Sequence, residues 1–578
     1  MDEEQKRLAE ELLFSGDKLP GFAKLLYFGV LDADRVCPFP KISNDEKRRL
    51  EELIEQFERF ADEKIDPDRI DREAKIPDEV IQGLADLGIF GATVPEKYGG
   101  MGLSQSAYCK LMERVAMRCA STALFINVQH SIGLRALLLF GTEDQKKTWL
   151  APLAKGEKFA AFSLTEPNAG SDASGVETKA VYNPEKKCYV LNGIKQWTSN
   201  GSIADVLTVM AKTDVEGREK VTAFLVNPTM KGFRVRDKAL EKVGMRGTWT
   251  ANLAFDDMEV PEENILGPIG GGLKVALTVL DYGRVTFGAT CTGAAKFCQR
   301  EALEHAKTRI QFKRPLASFP MVKRMLVRMF AYTYAMDAAT YLTAGLLDGD
   351  DHDIMIESAV IKVFNSESLW KTLYDTMQIF GGRSFFTDHP FERMMRDARL
   401  NSIGEGSNEV LQAFIGVVGM REVGVQLKEG LEALKNPFSD YKNFFKMIKS
   451  FYYRTYSPKI PLQSAELKEE GKRLGEAIRR LGIAVLKALS KHREEIVEKQ
   501  LILDRIAIAV TSIYTAIAVL SKVDSEIHEG DRSNLKLVKW YCKDAIDGLH
   551  RALDSLLDPH DEELEKLANE IYQSQGES

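Results

Sequence analysis

Cysteine is sparse and unordered in this chain. Seven cysteines are scattered over 578 residues, with no CxxC pair and no ligand-like histidine beside them. That excludes a disulfide framework and a zinc site, and it reads as reduced, mostly buried thiols of an intracellular protein with no metal centre. An excess of positive charge is also missing. The net charge is −7 at pH 7, so no basic field is available for nucleic acid. No run looks apolar for long enough to cross a membrane, so no transmembrane span is expected. The opening residues, MDEEQKRLAEELL, are acidic and amphipathic. They lack the basic head and apolar core of a secretory signal and the arginine-rich character of a transit peptide, so neither is expected. There is no internal repeat and no low-complexity tract. A strand-linked GxGxxG is absent too. GPIGGG (267–272) is a glycine-rich turn leading into a helix at Leu273, which leaves a Rossmann-type dinucleotide site unsupported.

What is present describes an ordinary globular protein of several domains. The hydrophobic fraction is 44% and the charged fraction 28%, and the length suffices for three or four cores. Residues 1–43 read as an N-terminal extension. Residues 44–158 carry helical periodicity: EKRRLEELIEQFERFADEKI repeats apolar positions at three- and four-residue spacing, with Asn44 as the expected N-cap. From 159 to 272 the pattern changes to short β-branched and aromatic runs, CYVLNGIKQWTS, ADVLTVMAKT, KVTAFLV and TANLAFDDMEV, broken by Asn, Gly and Pro. That pattern predicts a compact antiparallel, barrel-like β domain. Helical periodicity returns over 273–433. LKNPFSD (434–440) reads as a linker, and 434–578 as an additional helical domain. The fold class is therefore mainly α with a central β domain.

Three segments carry candidate chemistry. AAFSLTEPNAGSD (160–172) is a Pro/Asn/Gly turn whose free N–H groups and small hydroxyls suit a polar ring edge or a phosphate. NGIKQWTSNG (192–201) adds a flat indole, Trp197, and a hydroxyl at Ser199. On residue chemistry alone the better reading of these segments is a hairpin loop and a core tryptophan. Glu405, between Gly404 and Gly406, has by itself the look of a solvated loop residue.

Together with KVGMRGTWTANLAFDDMEVPEENILG (242–267), LDYGR (280–284), TRIQF (308–312), QIFGGRSF (378–385) and MMRDARLNSIGEGSNEVLQAFIG (394–416), these segments resemble the ordered motifs of the acyl-CoA dehydrogenase family. The likeness runs from about residue 45 to the C-terminus. It is nearest to the very-long-chain branch, through ATYLTAGLLD, IESAVIKVFNSESLW and the tail KHREEIVEKQLILDRIA. The resemblance implies a fold of an N-terminal helical domain, a β domain, a C-terminal four-helix bundle and an extra helical domain. It implies FAD as cofactor and α,β-dehydrogenation of a long-chain fatty acyl-CoA to the trans-2-enoyl-CoA, a step of fatty acid β-oxidation.

Residue by residue, the resemblance implies that Phe162, Ser163, Leu164 and Thr165 lie along the flavin's pyrimidine edge. Trp197 and Thr198 flank the ring, and Ser199 reaches N5. Arg309, Gln311, Phe312, Gln378, Gly381 and Gly382 meet the adenine–pyrophosphate half of a flavin held mainly by a neighbouring subunit, and Ser407 approaches the pyrophosphate. Ser171, Asp281, Tyr282, Arg284 and Gly406 face the acyl-CoA. Glu405 is the base that takes the α proton. Relatives that place this carboxylate on the long helix do so just before the arginine matching Arg284; that position here is Gly283, so Glu405 has no rival. The sequence departs from the family at Gly404, where many members carry an aromatic residue beside the thioester. The resemblance further implies electron-transfer flavoprotein as acceptor and a homodimer. Localisation is expected in the cytoplasm of a bacterium, or the mitochondrial matrix or inner-membrane face of a eukaryote. YKNFFKMIKSFYYRTYSPKI (441–460) interleaves aromatics with Lys and Arg, which suits either peripheral membrane association or packing on the catalytic domains. A different class of function, an assembly or scaffold partner of respiratory-chain machinery, is the competing reading.

Overall fold

The computed structural model describes residues 21–349, 353–434, 448–449, 451–452 and 454–576. The first 20 residues of the expected extension, the 435–440 part of the linker and much of the basic, aromatic 441–460 segment lie outside them. The chain divides into two compact units. One holds Lys41–Asp348 and Asn365–Ser407; the other holds Lys18–Pro40, Gly349–Phe364 and Asn408–Ser578.

The first unit opens with helices α1 (Asn44–Lys64), α2 (Pro67–Glu73), α3 (Asp78–Asp86), α4 (Gln105–Arg118) and α5 (Ala120–Asn127). Each starts where sequence chemistry asks it to. Ser43, not Asn44, caps α1: its hydroxyl accepts from the Glu46 N–H, and Asn44 is already helical. Asp66 caps α2 with Pro67 at its first position. Leu50, Leu53, Phe57 and Ala61 repeat along α1 and bury against Ile70, Leu84, Tyr108 and Phe125. Between α5 and α6 (Arg135–Phe140), residues Val128–Leu134 form a π-turn. Helix α7 (Glu143–Ala154) is started by a complete capping box between Thr142 and Gln145.

Eight strands follow: β1 (Ala160–Ser163), β2 (Lys179–Asn183), β3 (Cys188–Ser199), β4 (Val206–Val215), β5 (Arg218–Val226), β6 (Phe233–Asp237), β7 (Thr250–Pro261) and β8 (Ile265–Leu266). The sheet order is β6-β7-β3-β2-β4-β5-β8, with β1 added on β4. Most pairs are antiparallel, but β1 runs parallel to β4, as does β2 at Lys179. The sheet is therefore mixed where antiparallel pairing was expected. The parallel strand β1 arrives directly from the helical region, a connection no hairpin rule in the sequence announces.

Helix α8 (Gly272–Thr308), 37 residues and about 55 Å long, leaves the sheet. The short strands β9 (Ile310–Gln311) and β10 (Arg314–Pro315) come next, then α9 (Pro320–Asp348), α10 (Met355–Phe380) and α11 (Phe391–Leu400). The second unit contains α12 (Asn408–Ala433), α13 (Lys468–His492), α14 (Gln500–His528), α15 (Leu535–Asp554) and α16 (His560–Gly576). Gly416 and Gly419 on α12 let Leu503 and the ring of Tyr27 lie on its backbone. The expectation that no stretch suits a membrane is corrected. Ala120–Phe140, Asn408–Ala433 and Gln500–His528 are long and apolar enough by length and composition. The first and third are nonetheless mostly buried inside the protein, so their apolarity serves packing.

Candidate active site

The two turn-and-strand motifs of the β domain are tied together by a buried ion pair. Lys195, on β3, donates to the Glu166 carboxylate at 2.6 Å and to the Leu164 carbonyl at 2.9 Å, and both charged side chains are almost wholly buried. Glu166 also accepts from the backbone N–H of Glu177 and of Thr178. Burial lowers the Lys195 ammonium to about 8, and Glu166 supports it against that loss. Burial opposes the Glu166 charge, but Lys195 and the N–H donors outweigh it and hold the carboxyl below its usual range. This clamp shapes the 164–178 turn. Neither residue stood out in the sequence, where Glu166 lay in a polar turn and Lys195 in a run read as a strand.

Just past Lys195 the β3–β7 register breaks. Gln196 donates its N–H to the Thr165 carbonyl, and Trp197 is forced to φ 56° with the residue 60% exposed. A large aromatic in the left-handed region of a bulge is strained, and strain of this kind collects at binding sites. Phe162, Ser163 and Thr198 are buried; the Ser163 and Thr198 hydroxyls bond each other at 2.7 Å. Leu164, Thr165 and Ser199 are half-buried, and Ser171 is exposed in the turn. A flat apolar platform with half-buried hydroxyls at its edge fits an isoalloxazine, so the residues present suit FAD. Among the described residues no cluster suits a metal ion.

Glu405 lies in the turn after α11. It has φ 58°, and Gly406 follows at φ 97°. The strained backbone is held from the long helix: Arg284 Nε donates to the Glu405 carbonyl at 3.2 Å, and its Nη1 to Asp281 at 3.3 Å, with both side chains of that pair largely buried. The carboxylate itself reaches Gly283. A Cβ built there would stand 3.0 Å from Glu405 Oε2 and 3.2 Å from Ile132 Cγ2. Tyr282 presents its ring to the Arg135 guanidinium, 4.5 Å from the ring centre, so its side chain lies against the protein interior. At Gly404 a Cβ would meet only Leu400, at ordinary contact distance.

The π-turn joins these parts. Its Gln129 accepts the Ala160 N–H at the start of β1, Gly133 abuts Ala160, and Ile132 touches Gly283 on α8. Nothing in the sequence marked it, because helical apolar spacing continues through the turn; π-turns of this sort recur at functional sites.

Arg309, Gln311, Phe312, Gln378, Gly381 and Gly382 form a separate, exposed group. The β9–β10 hairpin projects Phe312, 88% exposed, and nothing lies within 4 Å of a Cβ at Gly381 or Gly382. His305 stacks on Phe380 at 4.1 Å, which sets the end of α8, and with it the hairpin, beside the end of α10 that carries Gln378. Ser407 closes the Glu405 turn and is half-buried.

A cavity of about 540 Å³ opens next to this framework. Phe287, Thr290, Ala294 and Phe297 of α8 line it, on the same helical stripe as Gly283. Ala123, Leu124 and Asn127 of α5 face them, with Asn401 from the turn before Glu405, and Asp62, Lys64 and Arg118 stand at its rim.

Comparison with known proteins is consistent along the chain. Families described as "Acyl-CoA dehydrogenase, N-terminal domain", "middle domain" and "C-terminal domain" match residues 47–157, 161–258 and 270–419. "ACAD9/ACADV, C-terminal domain" matches 465–577. The chain is 34% identical over 559 residues to the very long-chain specific acyl-CoA dehydrogenase, mitochondrial, of Homo sapiens, covering 94% of this chain and 85% of that protein. It is 31% identical over 601 residues to the probable acyl-CoA dehydrogenase FadE10 of Mycobacterium tuberculosis, covering 99% and 91%. Among solved structures, an acyl-CoA dehydrogenase complexed with FAD from Bacillus anthracis superposes with a TM-score of 0.77 at 28% identity, covering 93% of this chain and 92% of that one. Butyryl-CoA dehydrogenase from Megasphaera elsdenii gives 0.61 at 34% identity, covering 65% and 98%.

Proposed function

The chain belongs to the acyl-CoA dehydrogenase family, FAD-dependent enzymes that dehydrogenate fatty acyl-CoA, and from that premise we propose that Glu405 is the base that begins the reaction. The observation that carries this is the Glu405 carboxylate lying over Gly283, at the head of the cavity stripe on α8. Removal of the α proton leaves negative charge on the thioester carbonyl oxygen, so a base alone is not enough; donors must meet that oxygen. The Glu405–Gly406 main chain, bent by two consecutive positive φ angles, supplies N–H groups within the same turn. Arg284 holds that turn by its carbonyl, and Asp281 holds Arg284. Bound FAD supplies the hydride acceptor for the β hydrogen. Trp197 offers the ring its flat support, and Thr165 and Ser199 offer hydroxyls at the edge.

The substrate is long-chain. The stripe from Gly283 to Phe297 spans about 21 Å of helix, and it lines a cavity whose far rim is exposed. The hairpin bearing Phe312, with the open Gly381–Gly382 turn, suits burial against a second subunit and a shared flavin, hence a homodimer. Electron-transfer flavoprotein is the acceptor, and an intracellular compartment that holds acyl-CoA is the place of work. The scaffold reading is not favoured: a carboxylate held in strained backbone over a conforming glycine has no purpose in a scaffold. The test is anaerobic addition of saturated acyl-CoAs, from short to very long, to the flavin-loaded protein. Bleaching of the flavin band by long chains is expected, and Glu405→Gln is expected to keep its flavin but lose most of that bleaching. Full bleaching in that variant places the base elsewhere.

A further inference from the structure

We propose that Arg135 is a positioning residue for the dehydrogenation, holding from inside the protein the turn of α8 on which the Glu405 carboxylate rests. This rests on Glu405 as the base and adds a residue that none of the sequence motifs contains. Arg135 opens α6 where the π-turn ends, and it is 6% exposed. A buried guanidinium is ordinarily matched by a carboxylate, because taking its charge out of water is costly. Here, among the described residues, its hydrogen bonds go to neutral groups. Nη2 donates to the Thr93 hydroxyl at 2.7 Å and to the Gln105 side-chain carbonyl at 3.3 Å, while Nε has no partner. Burial pulls its pKa down. Asp348, one of the groups supporting the charge, already accepts the backbone N–H groups of Gln105 and Ser106. Such a cation burdens the fold unless it serves the site.

Two routes lead from it to α8. The guanidinium lies 4.5 Å from the centre of the Tyr282 ring, and Tyr282 directly precedes Gly283. A cation held over a ring away from water is a strong and directional contact. Arg135 also orients Gln105, whose amide donates to the Thr286 hydroxyl at 3.0 Å. That hydroxyl meets Ser131 of the π-turn at 3.1 Å and donates to the Tyr282 carbonyl at 3.2 Å. Ring and carbonyl of Tyr282 are thus both held. The next two residues face the base: Gly283 lies beneath the Glu405 carboxylate, and Arg284 holds its backbone carbonyl. A shift of Tyr282 therefore reaches Glu405 through two contacts.

The experiment mixes flavin-loaded protein with a long-chain acyl-CoA anaerobically and follows flavin reduction by stopped flow. Arg135→Met removes the charge and fills its space. It is expected to slow reduction about tenfold or more, because small misplacements of a reacting group are costly. The half-saturating acyl-CoA concentration is expected to stay within about threefold, since binding is not what is lost. The thermal midpoint is expected to hold or rise, as an unmatched cation leaves the interior. Arg135→Lys returns a cation to the ring and is expected to recover most of the rate. Tyr282→Leu is expected to slow reduction as Arg135→Met does, and the double variant to be no slower than the slower single one, because both break one link. Arg135→Gln is read the same way should Arg135→Met not fold. An unchanged rate, a rate that falls only in step with the thermal midpoint, no recovery with lysine, or effects that multiply in the double variant overturn the proposal and leave Glu405 as the base. Flavin reduction at the parent rate in Glu405→Gln overturns the reading beneath it.

Discussion

The Glu405 carboxylate occupies the space that a side chain at Gly283 would claim: a Cβ on that glycine would lie 3.0 Å from Oε2. One position on the long helix has to be bare for the Glu405 carboxylate to sit where it does.

Gly283→Ala tests this directly. Alanine in mid-helix is favoured over glycine by about 1 kcal/mol, so α8 is expected to be no less stable. The added methyl presses on both Glu405 and Ile132. Turnover is expected to fall by about tenfold or more while flavin content and melting temperature hold, because sub-ångström displacement of a reacting group is costly. An unchanged kcat would show that the carboxylate is free to move aside.

Arg284 connects the helix to the catalytic turn. Arg284→Gln removes the donor to the Glu405 carbonyl and leaves Asp281 buried with its arginine partner gone. Breaking a buried pair of this kind costs on the order of 3 kcal/mol, and loss of the turn's anchor is expected to lower kcat more than it raises KM. Denaturant melts and steady-state kinetics read the two effects separately.

The Lys195–Glu166 clamp predicts an asymmetry. Lys195→Met leaves a buried carboxylate without its cation and is expected to lose several kcal/mol along with flavin affinity, since the 164–178 turn is shaped by the pair. Adding Glu166→Met is expected to restore much of the stability. A double variant no more stable than the single one would argue against the pairing.

Asp397 gives a pH signature. Burial raises its carboxyl to about 6 from 3.8, against the Met245 N–H, which stabilises the charged form. A raised folded value means that the native state binds the proton more tightly than the unfolded chain. The group's contribution is therefore full below about pH 4 and is lost as the pH rises through about 6. The shift amounts to roughly 3 kcal/mol. Asp397→Asn is expected to flatten that part of the stability profile, gaining on the parent between pH 4 and 7 in denaturant melts; parallel profiles would show that Asp397 does not titrate there.

Periodicity and ordered motifs determined the succession of helical and β regions, the family and the candidate base, because these depend on residues near one another in sequence: an apolar stripe on α1, alternation along β3, a carboxylate between two glycines. Turn chemistry placed the α1 cap one residue late, since Ser43 and Asn44 are both good caps and only the backbone chooses. Apolar length was misjudged for Ala120–Phe140 and Gln500–His528, whose high mean hydropathy reflects burial from several sides at once. The rest belongs to long-range packing. The parallel strand β1, the Lys195–Glu166 clamp, the π-turn behind Gly283 and the Arg135 guanidinium on the Tyr282 ring each join residues that are distant in sequence or conceal themselves in ordinary helical spacing. The ordered motifs singled out Glu405 as the candidate base; the approach of Gly283, 122 positions earlier in the chain, decided where its carboxylate points, because only the folded helix brings a residue without a side chain beneath it.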